Sequence, residues 1–167
     1  LTVGVPALMR TLMTVPEPVV VIAPQCQPAN WWVRGLAFNE RYSMPHEPSG
    51  AMEVALDLCR AAVASGLADS NRLYVTGLSL GGFGTWDAVQ REPELFAAAL
   101  PICGGGDVRR VSPLRGLPIW VFHGRADKNV PVDCSRRMVS ALRVAGSSAV
   151  RYTEYENGEH MIWDRVY

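Results

Sequence analysis

Apolar positions along this chain fall into two kinds of segment that alternate. Residues 18–24, Pro18-Val-Val-Val-Ile-Ala-Pro24, form a continuous β-branched run bounded by prolines. Such a run suits a strand buried on both faces, as in a parallel sheet. A polar, aromatic loop containing Trp31 and Trp32 is expected from 25 to about 48. Over 50–65, Met52, Ala55, Leu56, Cys59, Ala62 and Val63 recur at helical spacing, and Gly66 is a natural stop. Asp69-Ser70-Asn71 is turn chemistry, and a short strand is predicted at 72–76. The next helix spans 80–91 and ends ahead of Pro93, because the residue before proline avoids helical geometry. Further strands are predicted at 96–102, 118–122 and 150–155. A flexible loop is expected at 103–107, a helix at 132–145 closed by Gly146, and the start of another helix at 160–167.

Strands that alternate with helices make a mostly parallel sheet with helices on both faces. No repeat, low-complexity tract or charge run divides the 167 residues, so a single α/β domain is expected over 1–167. Catalytic groups in such sheets sit in loops at the strand C-terminal ends.

Composition narrows the partners. Apolar residues make up 49%, enough for a sizeable core, and the formal net charge is +0 with no Lys/Arg cluster. That argues against a nucleic-acid or anionic-membrane surface. The least polar stretch, 18–33, carries two Gln, an Asn and three Pro, too short and too polar to span a bilayer. Four cysteines, Cys26, Cys59, Cys103 and Cys134, make no C-x-x-C pair, which weakens zinc and thioredoxin-like readings. Cys59 reads as a buried free thiol on an apolar helix face. The chain begins at Leu1 without a signal-peptide pattern and stops early in an apparent helix. It therefore reads as truncated at both ends, which leaves its compartment open between cytoplasmic and secreted.

Gly77-Leu-Ser79-Leu-Gly81 fits G-x-S-x-G. Composition alone would give such a match with a chance on the order of one in fifteen, so its context decides. It lies directly between a predicted strand and a predicted helix. There a serine caps a sharp, strained turn, and side chains at the flanking positions 77 and 81 would clash. Gly82 and Gly84 would let the helix approach the sheet closely. The helix N-terminus sets partial positive charge beside a developing oxyanion, and the backbone N–H of Leu80 is the expected first donor.

A serine nucleophile needs a base, and the base needs a carboxylate to hold its tautomer. The chain order in this fold class is Ser, acid, His. His46 precedes the serine and reads as a solvated loop residue. His123 precedes every plausible acid in its loop and reads as structural. His160 follows the last strand and is the expected base. Asp127, just past a strand end, is the expected acid, with Asp107 in reserve. Asp87 lies on the wrong helix, Asp133 has a capping explanation, and Glu159 and Asp164 flank the base too closely.

Together Ala23-Pro-Gln-Cys26, the segment from Arg72 to Gly82, Ala99-Leu-Pro-Ile-Cys-Gly-Gly105, His123-Gly-Arg-Ala-Asp127 and Gly158-Glu-His160 resemble bacterial carboxylesterases of the α/β-hydrolase superfamily. The resemblance covers about residues 19–163. It extends to prolyl-oligopeptidase-like, dienelactone-hydrolase-like, phospholipase/carboxylesterase and feruloyl-esterase-like enzymes. It implies a triad of Ser79, Asp127 and His160 that hydrolyses carboxylic esters through an acyl-enzyme. A small-molecule or carbohydrate-linked ester would be the substrate, with no metal or organic cofactor. A prolyl-oligopeptidase-like peptidase and a catalytically silent binding protein are the alternatives. Trp31, Trp32 and Phe83 are candidates to line the substrate pocket, with core or loop packing as the competing explanation. One departure stands out: no His-Gly-x-Gly-type loop, the family's source of a second oxyanion N–H, precedes Ala23.

Overall fold

A computed structural model describes residues 4–27, 30–36 and 42–167. Four strands, β1 (Tyr74–Leu78), β2 (Ala98–Ile102), β3 (Ile119–Gly124) and β4 (Val150–Tyr155), form one parallel sheet in chain order. Among the described residues four α-helices accompany it: α1 (Val5–Leu12), α2 (Gly50–Ala64), α3 (Leu80–Arg91) and α4 (Asp133–Val144). Helix α3 connects β1 to β2, and α4 connects β3 to β4.

Strand alternation sorts the core into two faces. Ala99, Ile119 and Val121 point to one face and pack with Met52 and Leu56 of α2, Trp86 and Val89 of α3, and Met138, Val139 and Leu142 of α4. Ile102 and Phe122 point to the other face, against Ile162, Val166 and Tyr167 near the C-terminus. Helix α1 joins that second face, where Thr11 donates to the Tyr167 carbonyl. The Tyr167 hydroxyl reaches the Thr76 hydroxyl of β1 at 2.7 Å. Helix cover is therefore uneven, with α2, α3 and α4 all on the first face.

Local sequence explains the element ends. Ser49 caps α2 by accepting from the Met52 N–H, and Asp69 caps a 3-10 turn at Ser70–Arg72. That turn takes up the first residue of the predicted 72–76 strand, so β1 starts two residues later. Helix α3 and strand β4 match their predicted bounds, while α4 falls one residue short at each end. At the C-terminus the predicted helix is one 3-10 turn, Trp163–Arg165.

One predicted element is absent. Residues 18–24 form no strand, and Val19, Val20, Val21 and Ile22 are exposed. Among the described residues β1 pairs only with β2, and the apolar run finds no ladder partner. An apolar pattern makes a strand only where a neighbouring backbone takes its N–H and C=O groups. The expected buried Cys59 is half-buried against the core, and none of the four cysteines forms a disulfide.

Candidate active site

Ser79 is the residue between β1 and α3. It holds φ 57° and ψ −116°, a conformation that L-residues rarely adopt and that costs on the order of 1–3 kcal/mol. Hydrogen bonds on both sides fix it: Ser79 N donates to the Ile102 carbonyl at 2.9 Å, and Phe83 N donates to the Ser79 carbonyl at 3.0 Å. The side chain makes no capping bond to its own helix, so the hydroxyl is not spent on secondary structure. Among the described residues no hydrogen bond joins it to His160.

The steric demand of this turn falls on two glycines. A Cβ on Gly77 would overlap the Gly81 backbone, and one on Gly82 would overlap the Ile102 carbonyl of β2. Two of the sequence expectations need correction here. A Cβ on Gly81 would meet nothing, because only position 77 points into the turn. Gly84 faces Trp32 rather than the sheet.

The loops after β3 and β4 are joined by backbone bonds. Arg125 N donates to the Tyr155 carbonyl at 2.9 Å and Ala126 N to the Gly158 carbonyl at 2.8 Å. This brings Asp127 Oδ2 to 2.7 Å from His160 Nδ1. The Asp127 side chain has no exposed surface. Its Oδ1 accepts from Asn129 N at 2.8 Å and Val130 N at 2.9 Å. Burial alone would raise its pKa. Hydrogen bonds from His123 and His160, and from the two backbone N–H groups, outweigh that and hold it far below the usual carboxylate range. The residue is thus an anion whose acceptor sites are aimed by the fold.

Contacts across the strand tips carry this pair toward the serine turn. Cys103 follows Ile102, the acceptor of the Ser79 N–H, and its Sγ lies 3.6 Å from the His160 carbonyl. Cys103 is itself strained, at φ 48°. Ser79, Asp127 and His160 therefore lie in loops at the C-terminal end of one parallel sheet.

The other candidates sit elsewhere. Asp107, the reserve acid, is buried and accepts from Met44 N at 3.0 Å and Arg109 Nε at 2.9 Å. The Arg109 guanidinium above all, together with backbone N–H groups, lowers its pKa to about 2 against the opposing effect of burial. Asp87 is paired with Arg91 at 2.7 Å, and Asp133 with Arg136 at 3.2 Å. His46 is exposed beside Glu47. Trp31 and Trp32 line an open cleft of about 660 Å³ whose walls include neither Ser79 nor His160. Phe83 is buried with Val33, Val130 and Cys134 and lines a different cavity, of about 300 Å³. The three aromatics do not gather into one pocket at Ser79.

Sequence reasoning passed over His123 as an active-site neighbour. Its ring is fully buried, and Nε2 lies 3.3 Å from Asp127 Oδ2. The four-residue spacing from the end of β3 into the loop after it was the available signal. Cys103, His123 and Asp127 also offer a sulfur, a nitrogen and an oxygen within 4.8 Å of one another. The His123 and Asp127 atoms are already hydrogen-bonded. Burial, with the Asp127 charge adding to it, pushes the Cys103 thiol up to about 12. A thiol that stays protonated is a poor metal ligand.

A parallel sheet crossed by α3 behind a strained serine, with an acid–histidine pair after later strands, defines an α/β-hydrolase fold, and this chain has it. Known proteins agree. The prolyl oligopeptidase family matches residues 50–114. A thermostable esterase structure superposes with a TM-score of 0.77 at 43% identity, covering 86% of this chain and 39% of that one. The Pyrococcus horikoshii acylaminoacyl peptidase aligns at a TM-score of 0.61 and 19% identity, over 69% of this chain and 24% of that one. Arabidopsis thaliana SOBER1 aligns at 0.60 and 21%, over 69% and 57%. The last two similarities speak for the fold alone. No curated protein sequence matches the chain. The chain spans less than half the length of the thermostable esterase. Among the described residues no helix is long and apolar enough to cross a membrane. The family match and the 43% identical structure are both similarities to hydrolases.

Proposed function

We propose that the chain carries the catalytic residues of a serine carboxylesterase that acts on small-molecule esters through an acyl-enzyme. The observation that carries this is the 2.7 Å bond between His160 Nδ1 and the buried Asp127 carboxylate, built at the sheet edge that also bears the strained Ser79. Asp127 fixes the histidine tautomer with the proton on Nδ1, leaving Nε2 free to act as a base.

In the first half-reaction Ser79 Oγ attacks the acyl carbon while its proton passes to His160 Nε2. The imidazolium formed is stabilised by Asp127, and the carbonyl oxygen becomes an oxyanion. The N–H of Leu80, in the unsatisfied first turn of α3, donates to it. Collapse expels the alkoxide, which takes the proton from Nε2 and leaves as alcohol. Water then repeats the sequence against the acyl-serine, releasing the acid and restoring Ser79. Such bonds between nucleophile and base are often long without substrate and tighten on binding, consistent with a Ser79 hydroxyl not yet bonded to His160.

The 43% identity to an esterase favours esters. The prolyl oligopeptidase match over α2 to β2 gives a second reading, peptide-amide hydrolysis by the same residues. Turnover of p-nitrophenyl esters against a prolyl p-nitroanilide tests both, with a fluorophosphonate probe reporting on Ser79. The ester reading expects ester turnover and an adduct on Ser79. Amide turnover without ester turnover would reverse the order. Neither turnover nor an adduct would leave a silent fold.

A further inference from the structure

We propose that His123 is a positioning residue: with Ser135 it forms a buried bracket that aims the Asp127 carboxylate and ties the acid loop to the turn at Ser79. This rests on the acyl-transfer role proposed for Ser79, Asp127 and His160.

An aspartate carboxylate turns about a soft, roughly two-fold torsion, so its plane is set by hydrogen bonds rather than by a rotamer well. At Asp127 both oxygens are held. Oδ1 takes two backbone N–H groups. Oδ2 faces two imidazoles, His160 Nδ1 at 2.7 Å and His123 Nε2 at 3.3 Å. His123 Nε2 also lies 3.0 Å from the Val130 carbonyl. Both neighbours of this nitrogen only accept, so it carries a proton; the Val130 carbonyl is its hydrogen-bond acceptor, and the Asp127 carboxylate stands beside it at 3.3 Å.

The opposite ring nitrogen is fixed as well. His123 Nδ1 lies 2.8 Å from Ser135 Oγ, in the first turn of α4, and that hydroxyl is 2.9 Å from the Gly104 carbonyl. Gly104 is packed so tightly on Gly82 and Phe83 that a Cβ there would collide with their backbone. Gly82 and Phe83 belong to the first turn of the helix that Ser79 precedes. One unbroken set of contacts thus runs from the acid, through His123, Ser135 and Gly104, to the helix that presents the serine. His123 and Ser135 both have no exposed surface. A histidine that only filled space here would not need polar partners arranged at both nitrogens.

Two substitutions separate positioning from filling. His123→Gln keeps a side-chain N–H able to reach Asp127, and His123→Leu keeps apolar volume without a donor. In p-nitrophenyl acetate turnover, His123→Leu should lose on the order of 10–100-fold in kcat with KM within about twofold, and His123→Gln should recover most of it. Unchanged kcat in His123→Leu, or no recovery in His123→Gln, would overturn the role. If His123→Leu does not fold, proton NMR of the unsubstituted protein decides. Two exchange-protected imidazole N–H signals, from His160 Nδ1 and His123 Nε2, are expected, and the His160 signal should move in Ser135→Ala. Absence of the protected His123 signal would overturn the proposal. A missing fluorophosphonate adduct on unsubstituted Ser79 would instead sink the acyl-transfer reading while leaving both N–H signals in place, so the two failures are told apart.

Discussion

Strand β3 and the segment 18–22 are both short runs that carry Val and Ile, yet they end in opposite environments. In β3, Ile119 is 2% exposed and Val121 0%, with β2 on one side, β4 on the other and α4 across the face. In the segment, Val19 is 48% exposed and Val20 50%, with no strand on either side among the described residues. The side chains compared, Ile119 and Val121 against Val19 and Val20, are chemically alike. What differs is whether neighbouring backbone completes the ladder and a helix covers the result. The proposed site grows out of the first kind of region: His123 and Gly124 end β3, and the loop to Asp127 continues directly from them.

That contrast predicts a steep gradient of sensitivity. Its top is the acid. Asp127→Asn would present an amide N–H where His160 Nδ1 needs an acceptor, turning the ring to the wrong tautomer. Ester turnover should fall on the order of 10⁴-fold in kcat, with the fold retained by circular dichroism. A loss of less than tenfold would mean that Asp127 is a structural anion only.

Next come the contacts that press α3 on the sheet. Gly82→Ala drives a methyl group into the Ile102 carbonyl and should cost about 3 kcal/mol. Gly81→Ala, one residue away, meets open space and should be neutral or gain up to about 1 kcal/mol from helix propensity. Urea unfolding midpoints of the two variants check the difference. Equal effects would break the claim that the steric demand is confined to particular positions.

Asp107 offers a third test through pH. Its folded pKa, about 2, lies below the ordinary value of 3.8. Its contribution is therefore fully present above about pH 4 and is lost as pH falls toward 2, at most about 2 kcal/mol. Stability curves of the parent and Asp107→Asn should separate at pH 6 and converge toward pH 2. A constant separation would assign the effect to packing.

How much of this was legible beforehand follows the same physics. Helix α3 and the serine turn could be read because their signals are local: glycine spacing, a strand before, a helix after, and proline to stop it. The pairing of Asp127 with His160 could be read because chain order and strand-end placement leave few alternatives. The failure at 18–24 could not be read, because burial of a strand depends on partners that its own pattern does not encode. His123 was visible, but its contact with the acid was not. Elimination by chain order asks which histidine can be the base, and never asks which other imidazole the acid might touch. The placement of the pocket aromatics was not legible for a related reason, since Trp31, Trp32 and Phe83 face three-dimensional neighbours that spacing does not determine.

The smallest expected effect lies in the exposed segment itself. Val20→Ser removes two methyl groups that are half in water and touch no ladder, so it should change the unfolding free energy by no more than about 0.5 kcal/mol. Ile119→Ala, from a site of equal hydrophobicity but full burial, should cost about 2–5 kcal/mol through lost transfer energy and a residual cavity. Comparing the two by urea denaturation isolates environment from composition. A loss above about 1 kcal/mol for Val20→Ser would mean that residues 18–22 are covered in solution, and the partner that covers them would then have to be sought. A negligible loss fixes the rule that β-branched runs stabilise this fold only where β1 to β4 give them neighbours.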